Sequence, residues 1–181
     1  MPPYVRSAGK EWCSMEEEQQ KFEKGYKAPR ESVVETIKSV RSSDINGYGR
    51  LFGGRLMEWI DETAGLAAVM HCNRMVTTAA VDNLQFKAGV SLGEIVVLRA
   101  KVTYVGHTSV EVRTDTYVQD VQTGIRKPVN RAYLTEVCVD KDGKPVPVSY
   151  GLLLETENDR AEYEGAKLRR KYRKLRREEG F

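Results

Sequence analysis

The spacing of apolar residues predicts a single long helix near the middle of the chain. From Leu56 to Ala68, small and apolar side chains recur at every third or fourth position, which keeps them on one face of an α-helix. The pattern reaches about His71 and ends at Asn73, a residue type that commonly terminates helices. Because exposed helices rarely contain so many small apolar residues, this helix is expected to pack against other elements.

β-rich segments flank the predicted helix. The segment SVVETIKSV precedes it, and four segments follow it: MVTTAAVDNLQF, EIVVLRAKVTYV, TSVEVRTDTYVQDV and VNRAYLTEVCVD. Short, turn-prone connections separate the last four, and TSVEVRTDTYVQDV alternates between its two faces as a strand does. One strand, one helix and four strands predict an α+β domain in which an antiparallel sheet packs on a single helix.

Charged segments extend from both ends of this domain. Residues 1–30 form a polar N-terminal arm, residues 31–154 form the domain, and residues 155–181 are expected to form a charged C-terminal helix. Residues 167–177 contain eight basic side chains and no acid, so the remainder carries −5 within a total net charge of +3. We expect removal of residues 155–181 to leave the activity of the domain largely intact.

Composition excludes several classes of protein. The length of 181 residues suits one domain. The three cysteines, Cys13, Cys72 and Cys138, lie far apart, which favours reduced thiols in the cytoplasm over disulfides or a zinc site. No segment approaches the roughly 18 uninterrupted apolar residues of a membrane-spanning helix, and the N-terminus lacks the apolar core of a signal peptide. We therefore expect a soluble cytoplasmic protein without a membrane span or a bound metal.

An acidic residue lies on the apolar face of the predicted helix. Helical spacing places Asp61 among small and apolar residues, whereas Glu62 lies over Glu58 and faces solvent. A packed carboxylate needs hydrogen-bond partners or a functional reason, because burying it alone is costly. The pattern by itself favours equally a catalytic acid and an aspartate solvated at a subunit boundary.

The residues before the helix are compatible with binding an oxyanion. Gly53 and Gly54 lie at the helix start, where free N–H groups and the helix dipole favour negative charge and where a missing Cβ admits a substrate. Asn46, in the preceding loop, carries an amide that can reach the same space. Each of the three residues alone is more typical of an ordinary turn.

The pattern N-x-x-G-x-x-x-G-G-x-L-x-x-x-x-D resembles that of the hotdog-fold acyl-CoA thioesterases, in the YciA-like and brain acyl-CoA hydrolase branch. It is matched by Asn46, Gly49, Gly53, Gly54, Leu56 and Asp61. The likeness extends from about Glu31 to Val148. It implies an antiparallel sheet wrapped around one central helix, the hotdog fold.

The resemblance also implies an activity and its residues. Acyl-CoA thioesters would be hydrolysed to free acid and CoA, with no cofactor beyond the CoA of the substrate. Asp61 would be the general base or nucleophile, the Gly54 N–H would polarise the thioester carbonyl, and Asn46 would orient water or that carbonyl. Thr78 matches a polar family position beside the acid. The family further implies dimers joined edge to edge, active sites built from both subunits, and often a trimer of dimers.

The phosphates of CoA require cationic or N–H-rich surfaces. Two segments offer them, namely the GHTS turn of Gly106, His107, Thr108 and Ser109, and the GIRK loop that contains Arg126 and Lys127. The resemblance supports the GHTS turn, whereas the GIRK loop is inferred from its residues alone. Gly53 is the remaining candidate for substrate contact.

Several other functions are weighed against hydrolysis. The basic tail suits RNA or a membrane surface, but a solvated helix docked by its leucines on a neighbouring subunit is favoured, so nucleic-acid binding is not expected. A binding-only acyl-CoA sensor is disfavoured by the retained Asp61, and a hotdog dehydratase by the absence of a histidine beside that acid. The segment GVSLG matches the hydrolase motif G-x-S-x-G, but a strand pattern follows it where that motif needs a helix, so Ser91 is expected to lie in a loop.

Overall fold

The computed structural model describes residues 22–82 and 84–180 as two α-helices and seven strands. The helices are α1 (Gly53–Cys72) and α2 (Glu157–Glu179), and short 3-10 turns occupy Pro29–Ser32 and Ser42–Asp44. The strands are β1 (Tyr26–Lys27), β2 (Val34–Ser39), β3 (Met75–Asp82), β4 (Ile95–Val105), β5 (Ser109–Gln119), β6 (Arg126–Val139) and β7 (Gly151–Leu152).

The main sheet is antiparallel and encloses α1. Its five strands follow the order β2-β4-β5-β6-β3, and β1 and β7 form a separate parallel pair. On β5, Val110, Val112 and Thr114 are buried on the side that faces the apolar residues of α1. The inward residues of the strands and the apolar residues of the helix therefore pack together in one core. This is the hotdog architecture, and the predicted α+β class is confirmed.

Two strand boundaries differ from the sequence prediction. β3 ends at Asp82, and β6 begins at Arg126, inside the segment expected to be a loop. Pro128 lies within β6 opposite Tyr117, directly beside a register shift. Since proline cannot donate a ladder hydrogen bond, the irregularity accommodates it and lets pairing continue beyond it.

The end of α1 is capped by a lysine that is distant in sequence. Asn73 adopts a left-handed conformation (φ 51°) and its N–H donates to Val69. Lys27 Nζ donates to the carbonyls of Met70 and His71 at 2.7 and 3.0 Å. The imidazole of His71 is fully buried beside Ser32.

Helix α2 lies across the outer face of the sheet and contacts it through charged side chains. Arg169 donates to the buried carboxylate of Glu111 at 2.7 Å and stacks over Tyr133. Arg173 and Arg176 both reach Asp82 at the end of β3. Leu168, Tyr172 and Leu175 remain exposed. Within the described residues, neither helix is long and apolar enough to cross a membrane.

Candidate active site

Asp61 and Thr78, which the family resemblance places side by side, are in direct contact. The Thr78 hydroxyl on β3 donates to Asp61 Oδ1 on α1 at 2.7 Å. The sequence placed Asp61 on the packed, apolar face of the helix. In this single chain, however, its side chain is exposed to solvent at the edge of that face. Glu62 is also exposed and pairs with Lys38 at 3.5 Å, as its solvent-facing position predicts.

A third residue of this cluster was not identified from the sequence. Glu136 on β6 lies opposite Thr78, and both of its carboxyl oxygens are 3.2 Å from Thr78 Oγ1. The side chain is completely buried, and this burial, together with the charge of Asp61, raises the pKa of Glu136 to about 7; only a hydrogen bond that Thr78 donates to the ionised carboxylate acts in the opposite direction. The signal was a charged residue at an inward position of β6, between Leu134 and Cys138 in the strand alternation.

An apolar hollow lies beside Asp61. Its volume is about 290 Å³, and its walls come from α1, β3, the residues after β3, and β6. It is lined by Gly54, Met57, Glu58, Ile60, Asp61, Val81, Leu84 and Leu134. A carboxylate at the border of mainly apolar walls suits a ligand with an apolar chain and a polar reacting group.

The N-terminus of α1 has the features of an anion site. Phe52 precedes the helix and provides no side-chain cap. A Cβ built on Gly54 would lie 2.6 Å from the Phe52 ring, so glycine fits this position most easily. Gly54 precedes Asp61 by seven residues, or about 10 Å along the helix axis. The two residues of one chain therefore lie about two helical turns apart along the hollow that both line.

Asn46 holds a turn in this chain. Its side-chain oxygen accepts from the backbone N–H of Tyr48 at 2.9 Å and of Arg50 at 3.3 Å. No hydrogen bond joins Asn46 to Asp61 in the described ranges. A single chain thus joins Asp61 to Thr78 by a hydrogen bond, whereas the Asn46 side chain bonds within its own turn and Gly54 lies about two helical turns from Asp61 along the hollow.

The two predicted phosphate-contacting segments lie at opposite ends of β5. The GHTS turn (Gly106, His107, Thr108 and Ser109) joins β4 to β5 beside Glu136, whereas Arg126 and Lys127 begin β6 at the far end, about 35 Å away. Arg126 is already engaged by both oxygens of Glu35, at 2.9 and 2.7 Å. One chain does not bring the GIRK loop to the same site as the GHTS turn.

Three other kinds of site could carry a function: a second groove, a serine nucleophile and a metal site. None of them involves Asp61. A larger groove of about 1080 Å³ lies on the outer face of the sheet beside α2 and does not include Asp61. Ser91 bridges to Arg50 in the turn before β4, so no helix follows it and the nucleophile-elbow geometry is absent there. Among residues 22–82 and 84–180, no cluster of histidine, cysteine or acidic side chains is arranged to hold a metal.

Comparison with known proteins assigns the chain to a family. The model of the thioesterase superfamily matches residues 48–125. An uncharacterized acyl-CoA thioester hydrolase of Bacillus subtilis, YkhA, is 37% identical over 72% of this chain and 75% of its own length. The acetyl-coenzyme A thioesterase of Rattus norvegicus is 36% identical over 81% of this chain, which spans only 26% of that longer protein.

Solved structures agree in fold and sequence. The acyl-CoA hydrolase of Staphylococcus aureus, in complex with butyryl coenzyme A, coenzyme A and coenzyme A disulfide, has a TM-score of 0.80 and 34% identity, covering 86% of this chain and 94% of that one. A hexameric acyl-CoA thioesterase without ligand has a TM-score of 0.79 and 35% identity over 83% and 96% of the two chains. The chain therefore belongs to the hotdog-fold acyl-CoA thioester hydrolases of the thioesterase superfamily.

Proposed function

We propose that this protein hydrolyses acyl-CoA thioesters to a free carboxylic acid and CoA, with Asp61 as its catalytic carboxylate. One observation carries the proposal: Asp61 is held by Thr78 at 2.7 Å on the border of an apolar hollow of about 290 Å³. The hollow suits the acyl chain, and the carboxylate lies where the thioester group of that chain would be. Water is the second substrate, and no cofactor takes part.

The chemistry of thioesters fits so small a set of groups. Their carbonyl has weak resonance stabilisation and their thiolate leaves readily, so one carboxylate and a few oxyanion donors suffice. Asp61 acts either by removing a proton from water as it attacks the carbonyl carbon or by attacking that carbon itself, giving a mixed anhydride that water hydrolyses. In both routes the C–S bond breaks and CoA leaves as the thiolate.

A complete site takes groups from two chains. The roughly 10 Å between Gly54 and Asp61 along α1 disfavours a site in which both serve one carbonyl within a chain. Strand β3 is an edge of the sheet and exposes Met75 and Val81 at 69% and 38%, as an uncovered subunit contact would. We therefore place the β3 edges of two copies side by side, with Asp61 and Thr78 from one subunit facing Asn46 and Gly54 of the other. A trimer of such dimers agrees with the hexameric relative.

Variants of a related enzyme support this choice of residues. In the Staphylococcus aureus acyl-CoA hydrolase, an asparagine, an aspartate and a threonine separated by 15 and 17 positions have each been replaced by alanine. Asn46, Asp61 and Thr78 are separated by the same 15 and 17 positions. The equal spacing supports corresponding roles for the three residues here.

We place the CoA end of the substrate at the GHTS turn. This turn lies at the same end of the sheet as Glu136 and Thr78, and Ser109 is adjacent to Val137 in the register.

Cys72 and Cys138 are buried thiols that form no disulfide, which suits a cytoplasmic enzyme.

A thiol-release assay on the full-length protein, with acyl-CoAs from acetyl to palmitoyl, tests the proposal. We expect turnover with at least one chain length and equal amounts of acid and CoA as products. Saturable acyl-CoA binding without thiol release would contradict it and would favour the binding-only sensor. Hydration of enoyl-CoA without thiol release would instead favour the dehydratase.

A further inference from the structure

The cluster of Asp61, Thr78 and Glu136 has one hydroxyl proton between two carboxyl groups. Thr78 Oγ1 is 2.7 Å from Asp61 Oδ1 and 3.2 Å from each oxygen of Glu136. A threonine hydroxyl carries one proton and two lone pairs, so it donates to one acceptor at a time. The shorter contact gives that proton to Asp61. The contact with Glu136 is then favourable only if Glu136 is the donor.

Burial gives the same protonation state independently. Glu136 is completely buried on the inner face of the sheet, between β3 and β5. Two titratable groups face it from α1, namely Asp61, which carries negative charge, and the thiol of Cys72. No lysine, arginine or histidine forms an ion pair with Glu136 in the part of the chain that the structure describes. A buried carboxylate without a cationic partner is strongly disfavoured relative to the neutral acid.

We propose that Glu136 is a positioning residue: as a neutral carboxylic acid it donates a hydrogen bond to Thr78 Oγ1 and so directs the Thr78 hydroxyl proton at Asp61 Oδ1. The inference rests on the proposed function, because its purpose is to orient the catalytic carboxylate. With Oδ1 held by Thr78, Oδ2 is the oxygen of Asp61 that remains available to water or the thioester. A neutral acid provides this orientation without adding a second negative charge where an oxyanion must form.

This arrangement depends on pH. When Glu136 ionises, at a pKa of about 7, it loses the proton that it donates to Thr78. Two negative carboxylates then compete for the single hydroxyl proton, and the orientation of Asp61 is lost. Turnover is therefore expected to decline as the pH rises through this range, while the KM, set mainly by the CoA and acyl contacts, stays nearly constant.

Two near-isosteric variants separate this role from a structural one. Glu136→Gln keeps a donor in the side-chain amide and cannot ionise, so we expect a kcat within about two-fold of wild type near pH 6 and no decline on the alkaline side. Glu136→Leu has no donor, so we expect a kcat lowered by about ten-fold, in keeping with one lost hydrogen bond, at an unchanged KM. Glu111→Gln is the matched control: this buried glutamate pairs with Arg169 on the outer face, so the change should lower stability without altering the pH profile.

The experiment is kcat and KM against pH for the full-length wild type and the three variants, with thermal melting and mass in solution recorded for each. If the wild type is active and Glu136→Gln still loses activity on the alkaline side, the proposed role of Glu136 is overturned. The proposed function then remains intact. If Glu136→Leu does not fold, the Glu136→Gln profile decides alone. A folded wild type with no thioesterase activity would defeat the proposed function itself, and the role of Glu136 with it.

Discussion

His71 and Glu136 show how burial neutralises opposite kinds of side chain in the same core. Burial, together with the nearby charge of Lys27, lowers the pKa of His71 to about 4. Burial raises the pKa of Glu136 to about 7. Because the charged form is disfavoured in both cases, each residue is mainly uncharged in the folded protein near pH 6. Their effects on stability therefore have opposite signs as the pH changes.

His71 is expected to make the protein sensitive to acid. The unfolded imidazole binds a proton near its ordinary pKa of 6.5, whereas the folded one resists protonation until about 4. Its contribution to stability is therefore fully present above pH 6.5 and is lost as the pH falls towards 4, by up to about 3 kcal/mol. Urea unfolding across this range should show that the free energy of unfolding falls less steeply with decreasing pH for His71→Gln than for wild type.

The comparison with His71→Gln cancels the contribution of Glu136, which both proteins share. That contribution has the reverse sign, since the folded pKa of Glu136 is raised from 4.5 to about 7: it is present below pH 4.5 and is lost as the pH rises to about 7. Equal slopes for wild type and His71→Gln between pH 4 and 6.5 would show that His71 has no such depressed pKa.

At the scale of elements, local patterns located the helices and strands, whereas contacts between distant residues had to come from the structure. The periodicity from Leu56 to Ala68 predicted α1 because one side of that helix is buried. The cap by Lys27 joins residues more than 40 positions apart, so no local pattern indicates it. The contact of Asp61 with Thr78 was anticipated only through the family resemblance. Glu136 was missed because its partner, Thr78, is distant in sequence and becomes its neighbour only when β3 pairs with β6.

Helix α2 changes the expected effect of removing the tail. Arg169 pairs with Glu111, which is only 3% exposed, so deleting residues 155–181 would leave that carboxylate buried without its cation. The truncated protein is therefore expected to be less stable than the full-length protein, and not simply a shortened active domain.

Arg169→Ala tests this element directly. Breaking one side of a buried ion pair is expected to lower the free energy of unfolding by about 3 kcal/mol, as measured by urea denaturation. Lys171→Ala, an exposed residue of the same helix, serves as the control and should change stability by less than about 0.5 kcal/mol. Equal small effects of the two changes would mean that α2 does not stabilise the sheet through Glu111.

At the scale of the whole molecule, the central expectation is that each active site spans two chains. Asn46→Ala and Asp61→Asn would then remove different halves of a site. If the two variants are co-expressed in equal amounts and pair at random, about a quarter of the sites contain both wild-type halves. We expect thiol release at about a quarter of the wild-type rate, well above either variant alone. A co-expressed pair that is no more active than its members would place both residues in a site within one chain.

The most direct test of the proposed chemistry is the steady-state rate of thiol release from acyl-CoA by wild type, Asp61→Asn and Glu62→Gln. Asparagine keeps the shape of aspartate and removes its charge, so we expect kcat to fall by about 10²–10⁴ while CoA still binds. Glu62 is exposed and pairs with Lys38, so its neutralisation should cost no more than a few-fold, about 1 kcal/mol. Equal losses in both variants, or an Asp61→Asn protein as active as wild type, would contradict the assignment of Asp61 as the catalytic carboxylate.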